Sequence, residues 1–147
     1  MGIMISKIRI KNYRSIESLD LELSMFNLVL GQNNTGKSNF LRAINTAITG
    51  TTDLSENDIY VGDGERLEKS KMAIIDLLIQ PTDADGIVMH EFTDFWTSVF
   101  TESWMTTSDG GNFVGIRVVI GNNFIGEIRV KRGRIQRNRG FRQCEYF

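Results

Sequence analysis

One stretch of this 147-residue chain has the residue types and spacing to hold a polyphosphate. Gly31-Gln32-Asn33-Asn34-Thr35-Gly36-Lys37-Ser38 fits the pattern G-x-x-x-x-G-K-[ST]. A loop that wraps a phosphate turns its backbone N–H groups inward, and glycine supplies the unusual φ angles this requires. A helix starting where the loop ends adds the positive pole of its dipole. Lys37 places a compact ammonium charge between the β- and γ-phosphates and is the residue expected to carry catalysis. Ser38 offers a hydroxyl to Mg²⁺, a hard cation that takes oxygen ligands in near-octahedral geometry. The chemistry implied is binding of a nucleotide, taken as ATP, together with Mg²⁺. A Gly/Asn turn ahead of an ordinary helix has the same pattern by chance, so the flanking elements must discriminate.

The flanking elements fit. Phe26-Asn27-Leu28-Val29-Leu30 is almost continuously apolar, which predicts a strand buried on both faces. A helix is predicted from about Gly36, with Phe40, Leu41, Ile44 and Ile48 on its apolar face and Gly50 as its C-cap. Upstream, Lys7–Lys11 and Leu19–Leu23 alternate with period two. Paired as an antiparallel hairpin bent at Asn12–Ser18, they would set Lys7, Arg9 and Lys11 against Asp20 and Glu22. Downstream, residues 50–70 read as a polar, acidic loop, Met72–Ile79 as a strand closed by Pro81, and Asp83–Gly86 as a turn. Val88, Phe92, Phe95, Val99 and Phe100 recur at helical spacing between Ile87 and Trp104. Phe113–Ile120 and Phe124–Lys131 are predicted strands joined by Gly121-Asn122-Asn123, with a further turn at Arg132-Gly133 leading into Arg134–Gln136. No repeat, low-complexity tract or linker interrupts the chain, so one domain over 1–147 is expected.

Composition removes several classes. No apolar run approaches the roughly 20 residues of a membrane span, and the N-terminus lacks the apolar core of a secretory signal. Cys144 is the chain's one cysteine, which excludes an internal disulfide framework, fits a reducing compartment and leads us to expect a cytoplasmic protein. One histidine and one cysteine do not make a zinc cluster. The opening Met1–Ser6 formally fits a myristoylation pattern, but the same residues lead straight into a strand. Net charge is −1 and unevenly spread: residues 1–128 hold 10 Lys/Arg and 17 Asp/Glu, whereas 129–147 hold 7 Lys/Arg and one Glu. Arg129, Lys131, Arg132, Arg134, Arg137, Arg139 and Arg142, with Phe141, Tyr146 and Phe147 nearby, suit a nucleic-acid backbone with base stacking. A hairpin with a charged outer face is the plainer account of them.

The stretches "KIRIKNYRSIESLDLEL" and "LVLGQNNTGKSNFLRAI" resemble the start of the ABC-class ATPases of the SMC/RecF type, and most of all the OLD group of ATP-dependent nucleases and related anti-phage ATPases. The close resemblance covers about residues 5–48 and is looser beyond. It implies a mixed α/β P-loop NTPase fold, an ABC-ATPase-like N-terminal lobe in which an antiparallel sheet packs on the P-loop core. It implies that Asn33, Asn34, Thr35, Gly36, Lys37, Ser38 and Asn39 surround the phosphates, with Gly31 opening the loop. Arg14, in "NYRS", matches a position that reaches toward the nucleotide in SMC-like heads, although a solvated hairpin residue is the plain alternative. Gln136 matches, by position alone, a glutamine that helps hold Mg²⁺. The resemblance further implies a head-to-head dimer or other homo-oligomer bridged by ATP, coupling to DNA processing in defence or repair, and an effector nuclease.

Hydrolysis in this class needs more than the phosphate loop: an Asp for Mg²⁺, a Glu to polarise water and a signature loop from a second subunit. Met72-Ala73-Ile74-Ile75-Asp76 superficially resembles the Mg²⁺-binding strand, but Leu77 stands where the Glu belongs, so Asp76 reads as a residue at a sheet edge. Ser108–Asn112 faintly resembles the signature, yet leads into a strand. Asp83–Gly86 is too short for a calcium loop, and Glu56, Asp58, Asp63 and Glu65 read as a solvated loop. The isolated chain is therefore expected to bind nucleotide but hydrolyse it slowly, as the N-terminal part of a longer ATPase. A non-catalytic nucleotide switch or scaffold subunit is the alternative.

Overall fold

The computed structural model describes residues 2–32, 36–50, 54–68, 70–100, 105–106, 111–122, 128–135 and 144–146, with the backbone alone at 105–106, 122, 128–135 and 144–146. Among these residues the architecture is mixed α/β, dominated by one antiparallel sheet. It opens with a hairpin, β1 (Gly2–Tyr13) and β2 (Ile16–Glu22), turned at Arg14-Ser15. The register sets Arg9 opposite Asp20 and Lys7 opposite Glu22. The Asp20 carboxylate bonds Arg9 Nε at 3.0 Å and Lys7 Nζ at 3.3 Å, the cross-strand pairing expected from the alternation. Lys11 instead lies opposite Ser18.

The second edge of β1 pairs with β3 (Met72–Thr82), which pairs with β5 (Asn112–Asn122). β6 (Ile128–Ile135) and β7 (Cys144–Tyr146) follow, and the short β4 (Met105–Thr106) pairs with the start of β5. Pro81 does not close β3. It lies opposite Ile3 of β1 but beyond the last β5 partner, Ile79↔Val114, so its missing N–H breaks no ladder bond on that edge. Arg132-Gly133 is not a turn either: both residues lie inside β6, opposite Val118 and Arg117. Pairing along β5 overrides the local turn chemistry.

One face of the sheet presents Ile8 and Ile10, then Ala73, Ile75 and Leu77, then Val118 and Ile120, all at most 1% exposed. Helix α1 (Lys37–Thr49) covers this face through Phe40, Ala43, Thr46 and Ala47, and ends at Gly50, whose N–H bonds the Thr46 carbonyl at 3.0 Å. The expected apolar stripe is thus rotated. Phe40 is buried, but Leu41 and Ile48 are 60% and 51% exposed. The buried stripe uses the small Ala43 and Ala47, which let the helix backbone come close to the sheet.

A second cluster joins Ile79 and Val114 to Phe92 and Phe100, the two rings meeting edge to face at 5.2 Å between centroids. Helix α2 (Asp94–Phe100) is shorter at its start than the spacing from Ile87 suggests. Val88 bridges Thr82 and Met89 N–H bonds the Pro81 carbonyl, so this stretch is drawn onto the end of β3 instead of into a helix. Phe95 and Val99 stay 66% and 45% exposed. Residues 101–104 lie outside the described part.

The predicted strand at Phe26–Leu30 does not form. The segment has no strand partner, and Phe26, Leu28 and Leu30 are 88%, 82% and 80% exposed. A strand buried on both faces needs hydrogen-bonded neighbours on its edges and cover above and below. Among the described residues, both edges of β1 are occupied by β2 and β3, both edges of β3 by β1 and β5, and nothing flanks this run. Ser24 and Asn27 instead fold the chain locally, Ser24 Oγ donating to the Phe26 carbonyl at 2.7 Å and Asn27 Nδ2 to the Ser24 carbonyl at 2.7 Å.

Candidate nucleotide-binding site

The 31–38 loop ends where α1 begins, with Gly36 as N-cap and Lys37 as the first helical residue. Gly36 has φ 95° and ψ 0°, a left-handed conformation that L side chains rarely adopt. A Cβ there would also lie 3.2 Å from Ser15 Oγ. No side chain of the N-cap residue hydrogen-bonds the helix start, where the first N–H groups of a helix have no intrahelical acceptor. A helix start of this kind, with its positive dipole end, suits an anion.

Lys37 is half-buried, and its ammonium donates back to the Gly31 carbonyl at the other end of the loop. Ser38 is exposed on the first turn. Asn39 turns toward the hairpin, Nδ2 donating to Ser15 Oγ at 2.8 Å. Gly31, Gly36, Lys37, Ser38 and Asn39 are therefore gathered at one end of α1. Asn33, Asn34 and Thr35 lie outside the described residues, as does Gln136. A cavity of about 630 Å³ opens against Gly31, Gly36 and Lys37, and its remaining wall is largely apolar, formed by β2 and the exposed 26–30 run.

The hairpin turn reaches the same region. Arg14 sits at φ 50°, uncommon for a residue with a side chain. Its main-chain N–H bonds the Asp58 carbonyl at 2.9 Å, and its Nη1 bonds Asp58 Oδ1 at 2.5 Å. Asp58 is 4% exposed, closing a single 3-10 turn (Glu56–Asp58) in a capping box with Ser55. The acidic 50–70 segment is thus not uniformly solvated: Glu56, Asp63 and Glu65 are exposed, but Asp58 is a buried partner of the arginine. The Ser55-x-x-Asp58 spacing was the available signal for it. Beneath the turn, Tyr13 is fully buried beside Thr46, its hydroxyl without a well-formed hydrogen bond, and burial raises its pKa.

Asp76 lies in β3, the middle of the sheet, not at an edge. It is 2% exposed and holds Arg117 by two bonds, Oδ1 to Nε at 2.6 Å and Oδ2 to Nη2 at 2.7 Å. Burial pushes its carboxyl pKa up, partly offset by the guanidinium. The pair is register-matched across β3 and β5. A lone Asp and a lone Arg, each inside an apolar run, were the signal for this pairing. Among the described residues no group of His, Cys, Asp and Glu is arranged to hold a metal ion.

Residues 4–99, well over half of the chain, match the AAA ATPase domain family. The chain belongs to that family. Within this AAA ATPase chain, a stretch of 60 residues is 37% identical to the Old nuclease of Escherichia phage P2. That match takes in 41% of this chain and 10% of the nuclease, so the chain spans only a small part of its relative's length. The two findings agree with the motifs at 5–48: this is an OLD-like ATPase region. The family is one of nucleotide users. Among the described residues no helix is long and apolar enough to cross a membrane.

Proposed function

We propose that this chain binds ATP with Mg²⁺ through the 31–38 loop, as the nucleotide-binding segment of a P-loop, ABC-type ATPase head that works on DNA. One observation carries the reading: the G-x-x-x-x-G-K-S sequence ends in a left-handed Gly36 at the uncapped start of α1, with Lys37 as first residue. In this reading the loop amides, with Gly31, Asn33, Asn34, Thr35, Gly36 and Asn39 around them, cradle the phosphates. Lys37 leaves the Gly31 carbonyl for the β- and γ-oxygens, Ser38 ligates Mg²⁺ and Arg14 adds a second cation at the edge. Gln136 is a further Mg²⁺ candidate on position alone.

Hydrolysis by this chain alone is slow, because positioning and charge stabilisation supply most of the rate in phosphoryl transfer. Asp76, the residue nearest in pattern to a metal-binding Asp, is already committed to Arg117. The OLD likeness favours a role in DNA processing, in defence or repair, with ATP bridging two heads and a nuclease as effector. The basic 129–142 stretch suits DNA contact, which would fall steeply with rising salt. A non-catalytic nucleotide switch is the second reading, supported by the Asp76–Arg117 pairing.

Titration with a fluorescent ATP analogue and Mg²⁺ tests the proposal. Saturable binding that Lys37→Ala abolishes is the expected result, and binding unchanged by Lys37→Ala refutes the site. A fast, Lys37-dependent ATPase rate in the isolated chain would overturn the claim of slow hydrolysis.

A further inference from the structure

We infer that Asp58 is a positioning residue: it fixes Arg14 so that the open edge of the guanidinium is presented to the phosphates of a bound nucleotide. The inference rests on the nucleotide reading above and adds a residue to it. Asp58 holds Arg14 twice, by its carbonyl on the Arg14 main-chain N–H and by Oδ1 on Nη1. The carboxylate is itself anchored, Oδ2 accepting the Ser55 N–H at 2.8 Å. Tyr60 N–H bonds the Asn12 carbonyl at 2.9 Å, fastening the strand end beside it. On the other side, Ser15 is tied to Asn39 in the first turn of α1. The two turn residues are thus clamped between the 55–60 segment and the helix start, with the backbone of Arg14 held at a positive φ.

The capping box by itself needs only Oδ2, so the bond from Oδ1 to Arg14 is not explained by capping the 3-10 turn. The guanidinium has five N–H donors. One is used here, on Asp58 Oδ1, and the side chain is 31% exposed. An arginine held on one side and open on the other loses less rotamer freedom when it meets an anion. A phosphate would therefore gain from Asp58 without touching it.

A double-mutant cycle on the full chain, read as ATP affinity with melting temperature as control, tests this. Asp58→Asn keeps an acceptor for Ser55 and removes the charge that orients Arg14. Asp58→Asn and Arg14→Ala should each weaken ATP by about tenfold, and together no more than either alone. Unchanged affinity in Asp58→Asn, or losses that simply add, would overturn the positioning role, since a purely structural residue lowers the melting temperature without this coupling. Failure of the nucleotide reading looks different: wild-type binding absent or indifferent to Lys37→Ala, which removes this inference with it. Should Asp58→Asn not fold, the Arg14 guanidinium N–H resonances of the wild type decide. Dispersed signals before ligand that shift with inorganic triphosphate support the role; signals at the solvent-averaged position overturn it.

Discussion

Two apolar runs in this chain meet opposite fates. Ile74–Ile79 in β3 and Phe26–Leu30 before the phosphate loop are similarly hydrophobic. In the first, Ile75 and Leu77 are fully buried and both strand edges are hydrogen-bonded, to β1 and β5. In the second, Phe26 and Leu28 stand more than four-fifths exposed and no strand lies alongside. Hydrophobicity sets what gains from burial, at roughly 25 cal/mol per Å². Whether a run becomes a strand is decided by partners able to satisfy its main chain. The Asp76–Arg117 pair sharpens the point: even a charged pair is buried in the sheet where the register supplies its complement.

The contrast can be broken by mutation. Arg117→Ala should have the largest effect, about 3–5 kcal/mol lost in urea unfolding, because Asp76 is left buried without its partner. Ile75→Ala should cost about 2–5 kcal/mol, whereas Leu28→Ala should change stability by less than about 0.5 kcal/mol. Equal losses at these two positions would mean the 26–30 run is covered in solution, and the contrast would vanish. Gly36→Ala should cost about 1–2 kcal/mol for the left-handed backbone, and should also weaken ATP binding by displacing Ser15.

Asp20→Asn should have the smallest effect on the sheet side, about 0.2–1 kcal/mol, for the pair is solvent-screened. Slight desolvation raises the Asp20 pKa, but the hydrogen bonds from Arg9 and Lys7 outweigh it and lower it from 3.8. A depressed carboxyl stabilises the fold above its unfolded pKa and loses that contribution as pH falls through the folded value. The difference between wild type and Asp20→Asn should therefore be present at neutral pH, shrink below about pH 4 and diminish with added salt.

Much of this protein was legible from short-range pattern. The hairpin followed from period-two alternation, although its turn is the tighter Arg14-Ser15 and not Asn12–Ser18; the start and end of α1 followed from Gly36 and Gly50, and the Arg9–Asp20 pairing from charges placed opposite one another. The errors share a cause. Ile87–Glu91 has helical spacing but is drawn back onto the end of β3, and Arg132-Gly133 has turn chemistry but is held against β5. The helix stripe was misjudged because large apolar residues outweigh alanine in a pattern, while close packing on a sheet favours the alanines.

By itself the sequence determined the hairpin and the helix that follows the 31–38 loop, because these depend on residues within a few positions of one another. Only the tertiary structure decided that Asp58 is buried against Arg14, 44 residues away, and that Asp76 pairs with Arg117 across 41. It also decided that Phe26–Leu30 stays exposed. Such outcomes turn on which strands share an edge and which carboxylate meets which guanidinium, and local propensity carries no record of either.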